Sequence, residues 1–187
     1  MKDTRDCIIS AARHLFAQQG FHGTSVDSIA KKAGVSKGAL YWHFSDKFEL
    51  YRTVLVLEIE RMKDIFKSTF EDATDAKEFI QRRGMLILMA FERDPETMLI
   101  WMDLLIQAKR GKEEFKNMAK DLASCIKKSM DEGVCIDLAD ERQESVFLLL
   151  RLVVFGLLSC QGSLLDTGEA IDSWKQIVDL VMRGDEQ

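Results

Sequence analysis

The chain has 187 residues, 47% of them hydrophobic and 30% charged, enough apolar material for one or two packed cores and too little polar tract for a disordered chain. Its net charge of −5 is unevenly placed. Residues 1–47 hold seven Lys/Arg and four Asp/Glu, net +3, and the other 19 basic and 27 acidic residues give −8, so a basic head precedes an acidic body.

The most informative segment runs from Thr24 to Lys47. Ser25 can cap a first short helix, in which Val26, Ile29 and Ala30 fall at i, i+3 and i+4 and form one apolar stripe. Gly34 suits the left-handed residue that ends such a helix, and Ser36 can cap the next one, whose inward side is Leu40 and Phe44. Ala30 and Ala39 are small where the two helices cross. Helix, glycine turn and second helix make a helix-turn-helix, whose second helix can lie in the major groove of DNA.

The outward side of that second helix carries Lys37, Tyr41, Trp42 and His43, and Gly38 lets a ligand approach the backbone. A lysine at a helix N-terminus opposes the helix dipole but is useful beside a phosphate. Asp46 and Glu49 read as a D-x-x-E capping box that starts a further helix, with Lys47 in its first turn. The alternative for Tyr41, Trp42 and Phe44 is core packing, which is the reading for Phe44.

These residues resemble the DNA-binding domain of tetracycline-repressor (TetR) family regulators. The pattern T-x-x-x-x-I-A-x-x-A-G-V-S-K-G-x-L-Y-x-H-F-x-x-K is present as Thr24, Ile29, Ala30, Ala33, Gly34, Val35, Ser36, Lys37, Gly38, Leu40, Tyr41, His43, Phe44 and Lys47. The preceding segment fits as well, with Ile8, Ala12, Leu15, Phe16 and a Gly20-Phe21 ending. The resemblance implies that Thr24, Ser25, Tyr41, His43 and Lys47 touch phosphates, and that Ser36, Lys37, Gly38, Ala39 and Trp42 lie at base edges. Phosphate contacts would fix the register and base contacts the sequence. Lys37 could donate to guanine O6 or N7, and Ala39 could meet a thymine methyl. Trp42 stands where the family often has tyrosine, which implies an altered operator preference.

Beyond Lys47 the chain reads as helices throughout. One helix runs from Asp46 to about Thr69, with Leu50, Val54, Leu57, Arg61 and Ile65 along one side. Others are expected over Asp75 to Phe91, from Asp94-Pro95 to about Ala108, over Glu113 to Glu132, over Ala139 to Leu165, and over Glu169 to Met182. The expected fold is all-α: a three-helix head over residues 1–47 and a helical-bundle effector-binding and dimerisation domain over 48–187. About nine helices is the number the resemblance implies.

Phe147 to Leu158 is apolar on almost every side except at Arg151, and the last helix repeats Ile171, Trp174, Ile177, Val178 and Val181. Together with the resemblance this points to a four-helix homodimer interface through Phe147, Val154, Leu158, Trp174, Ile177, Val178 and Val181. Such a dimer would address the two halves of a palindromic double-stranded DNA operator.

An effector pocket is expected from the resemblance, with Met89, Met98, Trp101, Met102, Arg151 and Phe155 as candidate residues. Thioethers and aromatic rings adapt to apolar ligands, although a methionine stripe at helical spacing also serves as plain core. A buried Arg151 needs an anion, either an acidic ligand or an internal carboxylate such as Asp103 or Glu144. Gln107, Arg82 and Arg83 read as surface residues.

No enzyme constellation is present: His14, His22 and His43 all lie in the head, and there is no glycine-rich phosphate loop. Cys7, Cys125, Cys135 and Cys160 form no C-x-x-C pair and have no histidine at zinc-ligand spacing, so neither metal nor cofactor is expected. Buried inert thiols are the simpler reading beside redox sensing. The N-terminus opens with charge, and Val146 to Cys160 falls short of a membrane span, so a cytoplasmic protein is expected. The resulting functional expectation is a dimeric repressor released by a small, largely apolar effector. The alternatives are control by a protein partner, no ligand at all, or activation.

Overall fold

The computed structural model describes residues 3–67, 75–131 and 140–182. Among these, nine helices follow one another: α1 Thr4–Gly23, α2 Val26–Ala33, α3 Lys37–His43, α4 Lys47–Lys67, α5 Ala76–Arg93, α6 Glu96–Lys109, α7 Glu113–Asp131, α8 Asp140–Cys160 and α9 Thr167–Met182. The all-α class holds. The ends expected near Thr69, Glu132 and Ala139 lie outside the described residues.

Two local expectations need correction. The helix expected to reach Leu165 stops at Cys160, because the Cys160 carbonyl there accepts from the N–H groups of Ser163, Leu164 and Leu165 at 3.2, 2.8 and 3.1 Å and closes a turn. The Asp46–Glu49 box is half formed. Glu49 N–H donates to Asp46 at 2.8 Å, but the Glu49 carboxylate reaches back to the N–H and hydroxyl of Ser45.

The helices gather into two compact units, one of residues 1–61 with 95–125 and one of residues 62–94 with 126–187. In the first, α6 and the start of α7 pack with the head although they follow it by half the chain. The carboxylate of Asp103 on α6 accepts from the backbone N–H of Phe21 at 2.9 Å, the Tyr51 hydroxyl at 3.0 Å and the Gln107 amide at 3.0 Å. Gly20 makes the approach feasible. It has φ 67°, and a Cβ there would lie 2.8 Å from Asp103 Oδ1. Burial, and secondly the Asp103 charge, push the Tyr51 hydroxyl far above the ordinary phenol range. Around this group Phe16, Phe21, Tyr51 and Phe115 pack edge to face, with Phe115 brought in by the first turn of α7.

A second polar node ties α1, α4 and α6. Glu58, 1% exposed, accepts from Arg13 at 2.7 Å, Arg61 at 3.1 Å and the Thr97 hydroxyl at 2.5 Å. Arg13 also pairs with Glu96, which meets His14 Nδ1 at 2.7 Å. The inward side of α4 is therefore Leu50, Tyr51, Val54, Leu55 and Glu58, and the expected stripe members Leu57 and Arg61 are exposed.

In the second unit α5, α8 and α9 pack on one another. Trp174 lies directly against Gly84, where a Cβ would fall 2.0 Å from the indole, and its N–H donates to Gln81 O at 3.1 Å. Phe147, Val154, Leu158, Trp174 and Val178 are buried within this single chain. That corrects their assignment to a dimer interface: the apolar stripe they form is the inward one. Arg83 and Gln107 are likewise buried, not superficial, Arg83 lying over the Phe79 ring and Gln107 bonded to Asp103. Arg82 is exposed as expected.

Asp103→Leu removes a half-buried acceptor used by the Phe21 N–H and the Gln107 amide, and leaves the Tyr51 hydroxyl only the Ile100 carbonyl at 3.4 Å. A loss of about 2–4 kcal/mol of unfolding free energy is expected in urea titration. Unchanged stability would show that Asp103 does not hold α6 to the head.

Candidate nucleic-acid interface

The head is assembled by local bonds that the residue order dictates. Ser25 and Ser28 cap α2 reciprocally, Ser28 N–H to Ser25 Oγ at 3.0 Å and Ser25 N–H to Ser28 Oγ at 3.2 Å. Gly34 ends α2 with φ 70° and ψ 30°, and Val35 N–H bonds back to Ala30 O at 3.0 Å. Ser36 then caps α3 by accepting from Ala39 N–H at 3.1 Å. Leu40 and Phe44 are buried, and the Arg5 guanidinium lies 5.3 Å from the Phe44 ring centre.

This arrangement turns one side of α3 outward. Ser36, Lys37, Gly38, Tyr41 and Trp42 are exposed, Trp42 by 82%, and Ala39 and His43 are half-buried. The Trp42 and His43 rings meet edge to face at 4.6 Å. Ser25 is exposed at the start of α2. Lys37 Nζ pairs with Asp27 of α2 at 2.9 Å, a partner ten residues away that no local spacing signals. The carboxylate, by hydrogen bond first and charge second, raises the Lys37 pKa above the ordinary lysine value.

Thr24 and Lys47 are used differently from the rest. Thr24 is 1% exposed, and its hydroxyl faces Gly20 O at 2.8 Å and Leu15 O at 3.1 Å. Lys47 Nζ donates to Phe21 O at 2.8 Å and Thr24 O at 2.7 Å, and lies 4.4 Å from the Phe21 ring centre. Burial, and more weakly the Lys112 charge, hold its pKa below the ordinary value. These two side chains clasp the corner between α1 and α2 from inside.

The six candidate effector residues divide between the two units. Met98, Trp101 and Met102 belong to the first unit, and Met89, Arg151 and Phe155 to the second. Met98 and Trp101 are buried; the other four are half-buried. A groove of about 720 Å³ in the first unit is lined by polar residues such as Arg5, Arg13, Lys32 and Glu58. In the second unit a cavity of about 20 Å³ opens beside Phe79, Arg83, Gly84, Phe147 and Trp174. Neither contains any of the six. Of the carboxylates considered for Arg151, Asp103 is engaged as described, and Glu144 lies 3.7 Å from Lys127. No metal-binding cluster occurs among the described residues, and Cys135 lies outside them. None of the described helices is long and apolar enough to cross a membrane.

Residues 8–54 match the domain described as bacterial regulatory proteins, tetR family. The head is 49% identical over 53 residues to the HTH-type transcriptional regulator AcrR of Shigella flexneri, covering 28% of this chain and 25% of that one. The chain spans 25–40% of the length of this and two other curated relatives that it matches. Similarity of fold extends much further. A TetR-family regulator structure from Mesorhizobium loti superposes with a TM-score of 0.74 at 22% identity, over 97% of this chain and 96% of that one. FadR of Bacillus subtilis, solved in complex with stearoyl-CoA, gives a TM-score of 0.71 at 15% identity over 96% and 98%. Residues 8–54 thus form a domain of the tetR family of bacterial regulatory proteins, seated on a helix-turn-helix that presents one side of α3 outward.

Proposed function

We propose that the protein is a homodimeric transcriptional repressor that binds a palindromic DNA operator and is released by a small, largely apolar effector. Gly38 carries the DNA-binding part of this reading. A Cβ there would meet nothing nearer than Ser36 Oγ at 3.9 Å, so the fold itself does not require glycine. Glycine within a helix costs roughly 0.5–1 kcal/mol relative to alanine, and close approach by an outside backbone gives a reason for it. Exposed Trp42 and Tyr41 flank that opening and supply ring faces and polar tips.

In this reading Ser25, Tyr41 and His43 hold phosphates, and Lys37, Ala39 and Trp42 read bases beside Gly38 and Ser36. Thr24 and Lys47 support the corner and contribute through the backbone. Tyr41→Ala should weaken binding to all duplexes about equally, whereas Lys37→Ala or Trp42→Ala should change which sequence is preferred, both read by competition binding with a duplex panel. An effect of Tyr41→Ala on one operator alone would refute its phosphate role.

The dimer is assigned to the outward sides of α8 and α9. Ser145, Leu148, Leu152, Gly156 and Ser159 recur at i, i+3, i+7, i+11 and i+14 on the exposed side of α8, and Leu180 is exposed on α9. Large apolar side chains between small ones allow two helices to approach closely, and a two-fold axis would repeat the patch on its partner. Half-buried Ile177 and Val181 border it. Leu152→Glu places a charge in that interface and should yield monomers in sedimentation equilibrium. An unchanged dimer would move the interface elsewhere.

The effector part rests on the tetR-family domain and on the segment from Met85 to Met102, rich in methionine with Phe91 and Trp101, and a neighbour of the same fold was solved with stearoyl-CoA. The cavity of about 20 Å³ favours a second reading, control without a ligand or by a protein partner, since it has room for about one water molecule. Thermal unfolding distinguishes them. Long-chain acyl-CoA or apolar aromatic compounds at 100 times their Kd should stabilise the protein by about 2.7 kcal/mol, and no shift across such a panel supports the second reading.

A further inference from the structure

We propose that Asp27 is a specificity-determining residue of the recognition helix, acting by positioning the Lys37 amine over one base edge. This rests on the DNA-binding reading above. The observation is the exposed pair itself: Lys37 Nζ lies 2.9 Å from Asp27 Oδ1 and 3.1 Å from Oδ2, with the side chains 52% and 72% exposed. Asp27 stands in the first turn of α2 and Lys37 in the first turn of α3, so the pair spans the two helices of the motif.

Electrostatics gives the pair its role. Asp27 in the first turn of α2 suits that helix's dipole, but an exposed ion pair contributes little to stability, so folding does not account for its grip on Lys37 of the next helix. A carboxylate on a surface that meets phosphates repels them and lowers total affinity. A lysine carries its charge on a four-carbon stem with free rotation, and a nearby phosphate would draw it away from the bases. A carboxylate gripping the amine from the α2 side opposes that draw. One Nζ proton can be used by Asp27 while the other two stay available to acceptors such as guanine O6 and N7. Affinity is thereby exchanged for discrimination.

Asp27→Asn keeps the shape and removes the charge. In a selection from randomised duplexes, followed by salt-dependent binding to the winners, the variant should bind non-specific DNA more tightly. Its log K against log salt should steepen by about one phosphate contact, and preference at one base pair of each half-site should fall about tenfold. Asp27→Glu, which can still reach Lys37, should restore that preference in part. In a Lys37→Ala background Asp27→Asn should leave the preference unchanged.

Two results overturn the inference while leaving the DNA-binding reading intact. One is a wild-type consensus that Asp27→Asn does not alter. The other is an equal alteration with and without Lys37, which would make Asp27 a direct base contact. If the wild-type chain itself selects no consensus, the DNA-binding reading fails and this inference falls with it.

Discussion

The carboxylate of Asp103 sits where the head would otherwise come apart from the helix that follows it in space. It accepts the Phe21 N–H at the kink that ends the straight part of α1, the hydroxyl of Tyr51 on α4, and an amide from its own helix. The kink exists because Gly20 adopts φ 67°, and it directs the chain into α2. The position of the helix-turn-helix thus depends on a half-buried acceptor more than eighty residues away. Glu58 does the same work one helix further along, joining Arg13, Thr97 and Arg61. A carboxylate taken out of water is costly unless well bonded; Glu58 is buried and Asp103 half-buried, and each is bonded by several donors.

Those ties leave the outward side of α3 with little to do for the fold. The outward members of α3 make few internal bonds, and Ser36 is committed to capping while Leu40 and Phe44 supply the packing. What remains on that side is a glycine with open space, a tryptophan largely in solvent and a lysine held by a carboxylate. A surface built this way is cheap to vary.

Much of the fold was legible because helix ends are local events. Ser25 and Ser36 cap where their types and spacing say they should, and Gly34 takes the left-handed turn. The errors fall where the answer depends on distant partners. Phe147, Val154 and Leu158 form a stripe, but the run from Phe147 to Leu158 is apolar on almost every side, and periodicity cannot say which stripe the protomer buries and which it exposes. Arg83 and Gln107 read as surface residues because charge and polarity are the only signals a sequence offers, whereas a ring beneath one and a carboxylate beside the other make burial tolerable. Thr24 and Lys47 belong to the recognisable motif, yet their atoms point into the corner between α1 and α2. The Asp27–Lys37 pair was hidden for the same reason, since it forms across a turn.

The central claim is that this head, repeated twice by a symmetric dimer, reads sequence. The most direct measurement is retention of genomic fragments by the purified wild-type protein at near-physiological salt, with sequencing of what is bound. Enrichment of one palindrome, with half-sites about one or more helical turns apart, is the predicted result. Diffuse retention that vanishes with added salt would contradict it, because phosphate attraction alone behaves in that way.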